Sequence, residues 1–292
     1  MQDHRTRFSA TRRFRLPLFR LPLLGCLLAL VAAAPVQAAV TTNVNGNNAT
    51  VSIDLLGIVG ADLSLGFTDA QNLSPSSLGI QVELASLLDS ALLSRLPGGS
   101  AASLTSAFPL LITIQPPASA GLEFSDTVRV EIHTHNLAWT PGSRLRLFKA
   151  SLGGGFRDIT EAVEAGSVRT RGRTGGFSQF LVLLDLRPTS AVVAEKFDYL
   201  QSRLGAASGL SLAERSSLDA ALAQSRAASL QGDVAGALTS LDAFDSQVRQ
   251  LSGSAIPNRW RAGGSLDNIA GDLQGGAATL RFSLGYLRDF GD

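Results

Sequence analysis

The chain has 292 residues, 45% of them hydrophobic, with 25 Lys and Arg against 24 Asp and Glu and a formal net charge of +1. That balance hides an asymmetry: six arginines lie in the first 20 residues with only Asp3 to offset them, so residues 39–292 carry a net charge of −4. The acidic remainder excludes a protein that coats nucleic acid, which needs clustered Lys and Arg to neutralise phosphate, and the hydrophobic share excludes a disordered chain.

The N-terminus reads as an address. Arg5, Arg7, Arg12, Arg13, Arg15 and Arg20 form a basic stretch, and Leu21 to Ala34 is a nearly unbroken apolar run. Fourteen residues are too few for a comfortable bilayer span. The run ends in Ala-Pro-Val-Gln-Ala, with small Val36 and Ala38 where a signal peptidase reads, so residues 1–38 are expected to be a secretory signal cleaved after Ala38. Two other signals are weighed. Thr11-Arg12-Arg13 has the look of a twin-arginine signal, but Arg15 stands where an apolar residue is preferred. Leu23-Leu24-Gly25-Cys26 has the look of a lipobox, but most of the apolar run follows Cys26 instead of preceding it. Cleavage at Ala38 removes the single cysteine, so no disulfide is expected and stability must come from a core.

From Ala39 to about Arg187 the apolar residues alternate: Val51, Ile53, Leu55; Leu63, Leu65, Phe67; Ile80, Val82, Leu84; Leu110, Ile112, Ile114; Val128, Val130, Ile132; Leu145, Leu147. A period of two marks strands with one buried face. Asn45-Gly46, Pro116-Pro117, Pro141-Gly142 and Gly153-Gly154-Gly155 supply the turns. Ser86 to Leu96, with Leu87, Leu88, Ala91 and Leu92 in one stripe, predicts a short helix stopped by Pro97-Gly98-Gly99. This pattern predicts an antiparallel β-sandwich over 39–188, with a closed barrel as the alternative.

After Pro188 the period becomes 3.6, which predicts a helical region of about four helices over 191–288 and an α+β chain overall. Val193, Phe197, Leu200 and Leu204 form a first stripe, and Ser211 with Glu214 makes a capping box for a helix carrying Leu218, Leu222 and Ala228. Gly232 ends that helix, and Asp233 caps another with Val234, Leu238, Leu241, Phe244, Val248 and Leu251 on one side. Pro257 is expected to open the last helix, with Leu266, Ile269, Leu273, Leu280, Leu284 and Leu287 inward and Trp260 against the bundle. Gly271, Gly275 and Gly276 argue against that helix by about 1 kcal/mol each. Leu280, Phe282, Leu284 and Tyr286 would also suit a strand.

Arg146-Leu147-Phe148-Lys149, Gly155-Phe156-Arg157-Asp158-Ile159-Thr160 and Phe177-Ser178-Gln179-Phe180 resemble the closing strands of Ig-like sandwich modules in secreted bacterial proteins. Leu218, Leu222, Gly232-Asp233, Ala237, Leu241, Ala243-Phe244, Val248 and Ser252-Gly253 resemble the FIMAH-type helical module of such proteins, although Asp245 and Ser246 are less apolar than that pattern expects. The whole chain is similar to uncharacterised exported proteobacterial proteins. These resemblances imply folds and carry no catalytic residues.

Glu131, His133 and His135 share one face of a strand and are the candidate metal ligands. Residues two apart on a strand stand about 7 Å from each other, so one strand does not easily close a coordination sphere. With Val130 and Ile132 opposite, the expectation is a solvent face and no metal. Arg169, Arg171 and Arg173 alternate in the same way, a candidate contact for an anion or glycan, or a solvated hairpin face paired with Glu161 and Glu164. Trp139 is either a sugar-stacking ring or a plug at the sandwich edge. No Gly-x-Ser-x-Gly elbow, phosphate loop or His-Glu-x-x-His occurs. The sequence therefore predicts an exported, non-catalytic protein with a binding or structural role at the cell envelope. It expects no cofactor, no nucleic acid, no integral membrane segment after signal cleavage, and an envelope or extracellular protein or polysaccharide as partner. The alternative is an envelope hydrolase or metal-dependent enzyme with its site on the sandwich surface.

Overall fold

A computed structural model describes residues 39–55, 57, 59–264 and 266–292; the expected signal peptide and Cys26 lie outside them. The period-two segments form strands. β1 (Ala39–Asn45) and β2 (Asn48–Leu55) are a hairpin across Gly46, whose φ of 55° suits glycine. β3 (Val59–Gln71) follows on the same sheet. β4 (Ile80–Leu84) opens a second sheet. The helix expected over 86–96 is reduced to one turn, α1 (Ser90–Leu93), capped by Asp89. Leu87 and Leu88 are exposed, the latter at 91%, because the chain around that turn is not helical and the stripe never forms.

β5 (Ala102–Leu104) and β6 (Leu110–Ile114) lead to β7 (Glu123–Ala138), the 16-residue centre of the first sheet. β8 (Leu145–Ala150), β9 (Arg157–Asp158), β10 (Thr160–Glu164), β11 (Ser167–Thr174) and β12 (Gln179–Asp185) complete the strands before Pro188. The larger sheet runs β1-β2-β3-β7-β11-β10 and the smaller runs β4-β6-β12-β8-β9, with β5 also paired to β12; every pairing is antiparallel. Two separate sheets make a sandwich, not a closed barrel. Val51, Ile53, Leu63, Leu65, Val130 and Ile132 of one sheet bury against Leu110, Ile112, Phe180 and Val182 of the other. The smaller sheet is covered on its far face too, by Leu92, Leu96 and Phe156 against Phe148, Leu181 and Leu183. That double burial explains the unbroken apolar run of β12. Edge strand β4 departs from the expectation: Leu84 is 51% exposed.

Four helices follow among the described residues, interrupted by a strand. α2 (Thr189–Gly205) buries Val193, Phe197, Leu200 and Leu204. α3 (Leu212–Leu230) starts with the expected capping box, Ser211 Oγ accepting from the Glu214 N–H and Glu214 Oε2 accepting from the Ser211 N–H at 2.8 Å. Gly232 follows with φ 76°, and Asp233 caps α4 (Val234–Leu251) by accepting from the Gly236 N–H. The last helix does not begin at Pro257. Residues Arg259–Arg261 form β13, which pairs with the start of β7, and α5 (Ile269–Phe290) begins only after Asn268 accepts from the Gly271 N–H. Residues 279–287 are helix, not strand. Trp260 is correspondingly not a bundle residue. It stacks on Phe124 at 5.2 Å and meets Phe177 edge-on at 5.3 Å, closing one end of the sandwich.

The change of period near 188 marks a change of element, while 36–292 contacts itself as one unit. α5 packs on β7, β10 and β11, and two of its glycines explain how. A Cβ on Gly271 would lie 2.2 Å from the Asp126 carbonyl oxygen, and one on Gly275 would lie 2.5 Å from that of Arg173. These two residues, four apart on one helix face, let the helix backbone approach the strands directly.

Gly275→Ala should therefore lower stability by about 1–3 kcal/mol, because overpacking outweighs the gain in helix propensity of about 1 kcal/mol. Gly285→Ala, on the same helix with nothing within 4 Å of the added carbon, should raise it by up to about 1 kcal/mol. Urea denaturation of the two variants reads both signs.

Candidate functional site

The outer face of the larger sheet carries the candidate residues, and strand register decides which of them meet. Asp62 on β3 stands opposite His133 on β7, and Ser64 opposite Glu131. On the other side of β7, Arg169 faces His133, Arg171 faces Glu131 and Arg173 faces Arg129. Glu131 is thereby taken by arginine: Arg171 Nε donates to it at 3.1 Å, and Arg171 also pairs with Glu164. Arg173 Nε donates to Glu161 at 2.5 Å. The arginine ladder is thus met by carboxylates, including the Glu161 and Glu164 named from sequence, while Arg169 is exposed. Trp139 is half-buried just past the end of β7, its backbone N–H donating to the Gly166 carbonyl, and takes no part in either group.

His133 and His135 instead converge on Asp62, which the sequence reading did not include. Asp62 Oδ2 is 2.9 Å from His135 Nε2 and 3.4 Å from His133 Nδ1, and the imidazole centroids are 5.2 Å apart. His133 Nε2 is 2.6 Å from Ser167 Oγ. Partial burial opposes the charge on Asp62, but hydrogen bonds and charge from His135, then His133, hold its carboxyl below the ordinary value. Among the described residues these three form the group able to offer a metal three donors, all within 4.8 Å of one another.

A second concentration of charge lies inside, where the helices meet the strands. Lys196 on α2 donates to Asp158 Oδ2 at 2.6 Å and to the hydroxyls of Thr279 and Ser283 on α5 at 2.7 Å each. Burial disfavours an ionised Asp158, yet the Lys196 charge holds its carboxyl below the ordinary value. Arg187 grips Asp185 with two hydrogen bonds, 2.7 and 2.8 Å, and Glu195 with a third at 2.6 Å. Asp272 accepts from the Gly175 N–H at 3.1 Å and is kept ionised against burial by Lys149, Arg157 and Arg203. Perturbed groups of this kind often mark catalytic sites. Here the voids beside Asp158, Asp185, Arg187 and Lys196 measure about 10 and 40 Å³, room for water but far below the several hundred Å³ of a ligand pocket. An open groove of about 720 Å³ runs instead past Ile114, Pro117, Leu152, Phe177 and Trp260, with Gln81 and Gln115 at its rim.

A family model described as "Family of unknown function (DUF6689)" matches residues 23–288. The chain belongs to that family. No curated protein and no solved structure matches it. Membership in DUF6689 therefore fixes kinship and leaves the chemistry to be read from the residues themselves. No helix among the described residues is long and apolar enough to cross a membrane.

Asp62 was missed because nothing local ties it to His133. Alternation puts it on the outer face of β3, opposite in sense to Leu63 and Leu65, but residues 72–122 separate the two strands and mostly serve the other sheet. Pairing across such a gap is set by the fold, not by spacing.

Two outcomes follow from the interior charges. Lys196→Met alone leaves Asp158 buried and unpaired and should cost about 3–5 kcal/mol, whereas Asp158→Leu with Lys196→Met should recover most of that loss in urea denaturation. Lys149 gives a pH signature: burial of its ammonium, only partly offset by Asp272, pushes it down to about 8 from 10.5. Between those values the unfolded chain binds more protons, so this group makes stability rise as pH rises. The melting temperature should climb from pH 8 toward pH 10, and Lys149→Met should flatten the climb.

Proposed function

We propose that this DUF6689 protein is exported through its N-terminal signal and serves a non-catalytic binding or structural role at the bacterial cell envelope. The observation that carries this reading is that the interior charges are paired with one another. Lys196, Asp158, Arg187, Asp185 and Asp272 spend their hydrogen bonds tying α2 and α5 to the strands, and the voids beside the first four are too small for an organic substrate. The basic and apolar stretches before Ala39 supply the export address. The likeness of the sandwich strands to Ig-like modules and of residues 218–253 to the FIMAH-type module supports the same setting. The groove past Phe177 and Trp260, with its glutamine amides, offers aromatic faces and hydrogen bonds suited to a polysaccharide or an extended protein segment.

A second reading, an envelope enzyme with a metal on the sandwich surface, is favoured by the meeting of Asp62, His133 and His135 at a solvent-facing position.

Intact mass and N-terminal sequencing of the protein recovered from the periplasmic or culture fraction test the first reading. The expected chain starts at Ala39, carries no lipid and does not shift on reduction. An acylated Cys26 would make it a lipid-anchored component, and an uncleaved chain confined to the cytoplasm would overturn export.

A further inference from the structure

We propose that Asp62, His133 and His135 form a surface site for one divalent transition-metal ion of the zinc class. Two imidazoles and a carboxylate suit Zn²⁺, and by the same donors Ni²⁺ or Cu²⁺; Mg²⁺ and Ca²⁺ require shells built from oxygen. The objection to a site on one strand is the spacing of about 7 Å between alternate residues. The fold removes it by supplying the third donor from the neighbouring strand and by tilting both imidazoles toward it, which brings their centroids to 5.2 Å. A tetrahedral ion with bonds of about 2.0–2.2 Å sets its donors about 3.3–3.6 Å apart. Asp62 Oδ2 to His133 Nδ1, at 3.4 Å, falls within that spacing, and Asp62 Oδ2 to His135 Nε2, at 2.9 Å, falls just below it. All three donor atoms lie within 4.8 Å of one another, so side-chain rotations bring them onto one ion.

Three further observations distinguish a built site from a chance cluster. Ser167 Oγ holds His133 Nε2 at 2.6 Å, which leaves Nδ1 aimed at Asp62, the outer partner that ligating histidines usually have. Gly60 gives His135 its place: a Cβ there would lie 2.7 Å from His135 Nδ1, so any larger residue forces the imidazole aside. Glu131, the remaining acid on that face of β7, is bound to Arg171 and does not compete for the histidines. The side chains of His135 and Asp62 remain 44% and 45% exposed, which leaves a coordination position facing solvent, open to water or to a donor on a partner. The inference does not depend on export or on either reading above.

Isothermal titration of the tag-free protein with ZnCl₂, together with Co²⁺ absorption spectroscopy, tests it. The expected result is one Zn²⁺ per chain, a visible Co²⁺ band that Zn²⁺ abolishes, and no saturation with Mg²⁺. His135→Gln, at an exposed position where folding is not at risk, should weaken Zn²⁺ binding at least 10-fold. Ser167→Ala and Gly60→Ala should weaken it by a smaller factor, and Glu131→Gln should leave it within about 2-fold. No saturable Zn²⁺, Ni²⁺ or Cu²⁺ binding up to about 1 mM would overturn the proposal. So would Zn²⁺ binding that His133→Gln with His135→Gln leaves unchanged, since the ion would then sit elsewhere.

Discussion

The direct approach of the α5 backbone to the strands is the constraint on which the arrangement of the helical region depends. With Gly271 against the Asp126 carbonyl and Gly275 against that of Arg173, the helix axis sits closer to the sheet than side chains would permit. At that distance Asp272, between the two glycines, reaches the Gly175 N–H, and Thr279 and Ser283, further along, reach Lys196. A helix one methyl group further out would leave these polar atoms buried without partners, at a cost of about 1–3 kcal/mol each. The glycines, the hydroxyls and the buried lysine therefore form one solution to one problem, and each explains the presence of the others.

The same constraint accounts for the distribution of charge. Burying Lys196, Asp158, Arg187 and Asp185 costs desolvation that apolar residues of similar volume would avoid. What the ion pairs provide is direction. A helix with an apolar stripe slides on an apolar surface, whereas Lys196 reaches Asp158, Thr279 and Ser283 together in one setting of α2 against β9 and α5. Arg187 does likewise at the junction, linking the end of β12 through Asp185 to Glu195 on α2. The apolar interiors of the sandwich and of the helices remain separate clusters, and these polar ties join them.

Local chemistry made much of this visible in the sequence. The alternation at Val51–Leu55, Leu63–Phe67 and Val128–Ile132 places the inner face of the larger sheet correctly, and Ser211, Gly232 and Asp233 mark helix ends where they occur. Most of the failures share a cause. Leu87 and Leu88 fit a helical stripe but are exposed, because one turn of α1 is all that forms. Pro257 and Trp260 look like a helix start, but tertiary pairing with β7 turns Arg259–Arg261 into a strand. Gly271, Gly275 and Gly276 weaken helix propensity for a reason that only the packed neighbour reveals. Asp62 could be placed on an outward face, but its partner on β7 could not be named. Apart from the shortened α1, each missed feature is a contact between segments distant in sequence.

β7 joins the helical region to the candidate site. Its first residues are held by the helical region: Asp126, in a left-handed conformation with φ 57°, takes hydrogen bonds from Ser252 and Asn258, and Asn268 donates to its carbonyl. The Glu123 side chain is gripped by Arg259 and Arg261 of β13. Further along the same strand stand His133 and His135. Side chains alternate with a period of two, so a slip of one residue would turn both histidines into the core and bring Ile132 and Thr134 to the surface. A non-glycine residue with positive φ is a costly conformation, and here it coincides with the register shift between Phe67 and Asp69 on the paired strand. That irregularity, locked by three side chains from the C-terminal region, fixes how β7 lies against β3 and hence that His133 meets Asp62. The proposed metal site thus owes its geometry to a strand pinned some distance away, and the C-terminal region contributes to its preorganisation by holding that strand in register.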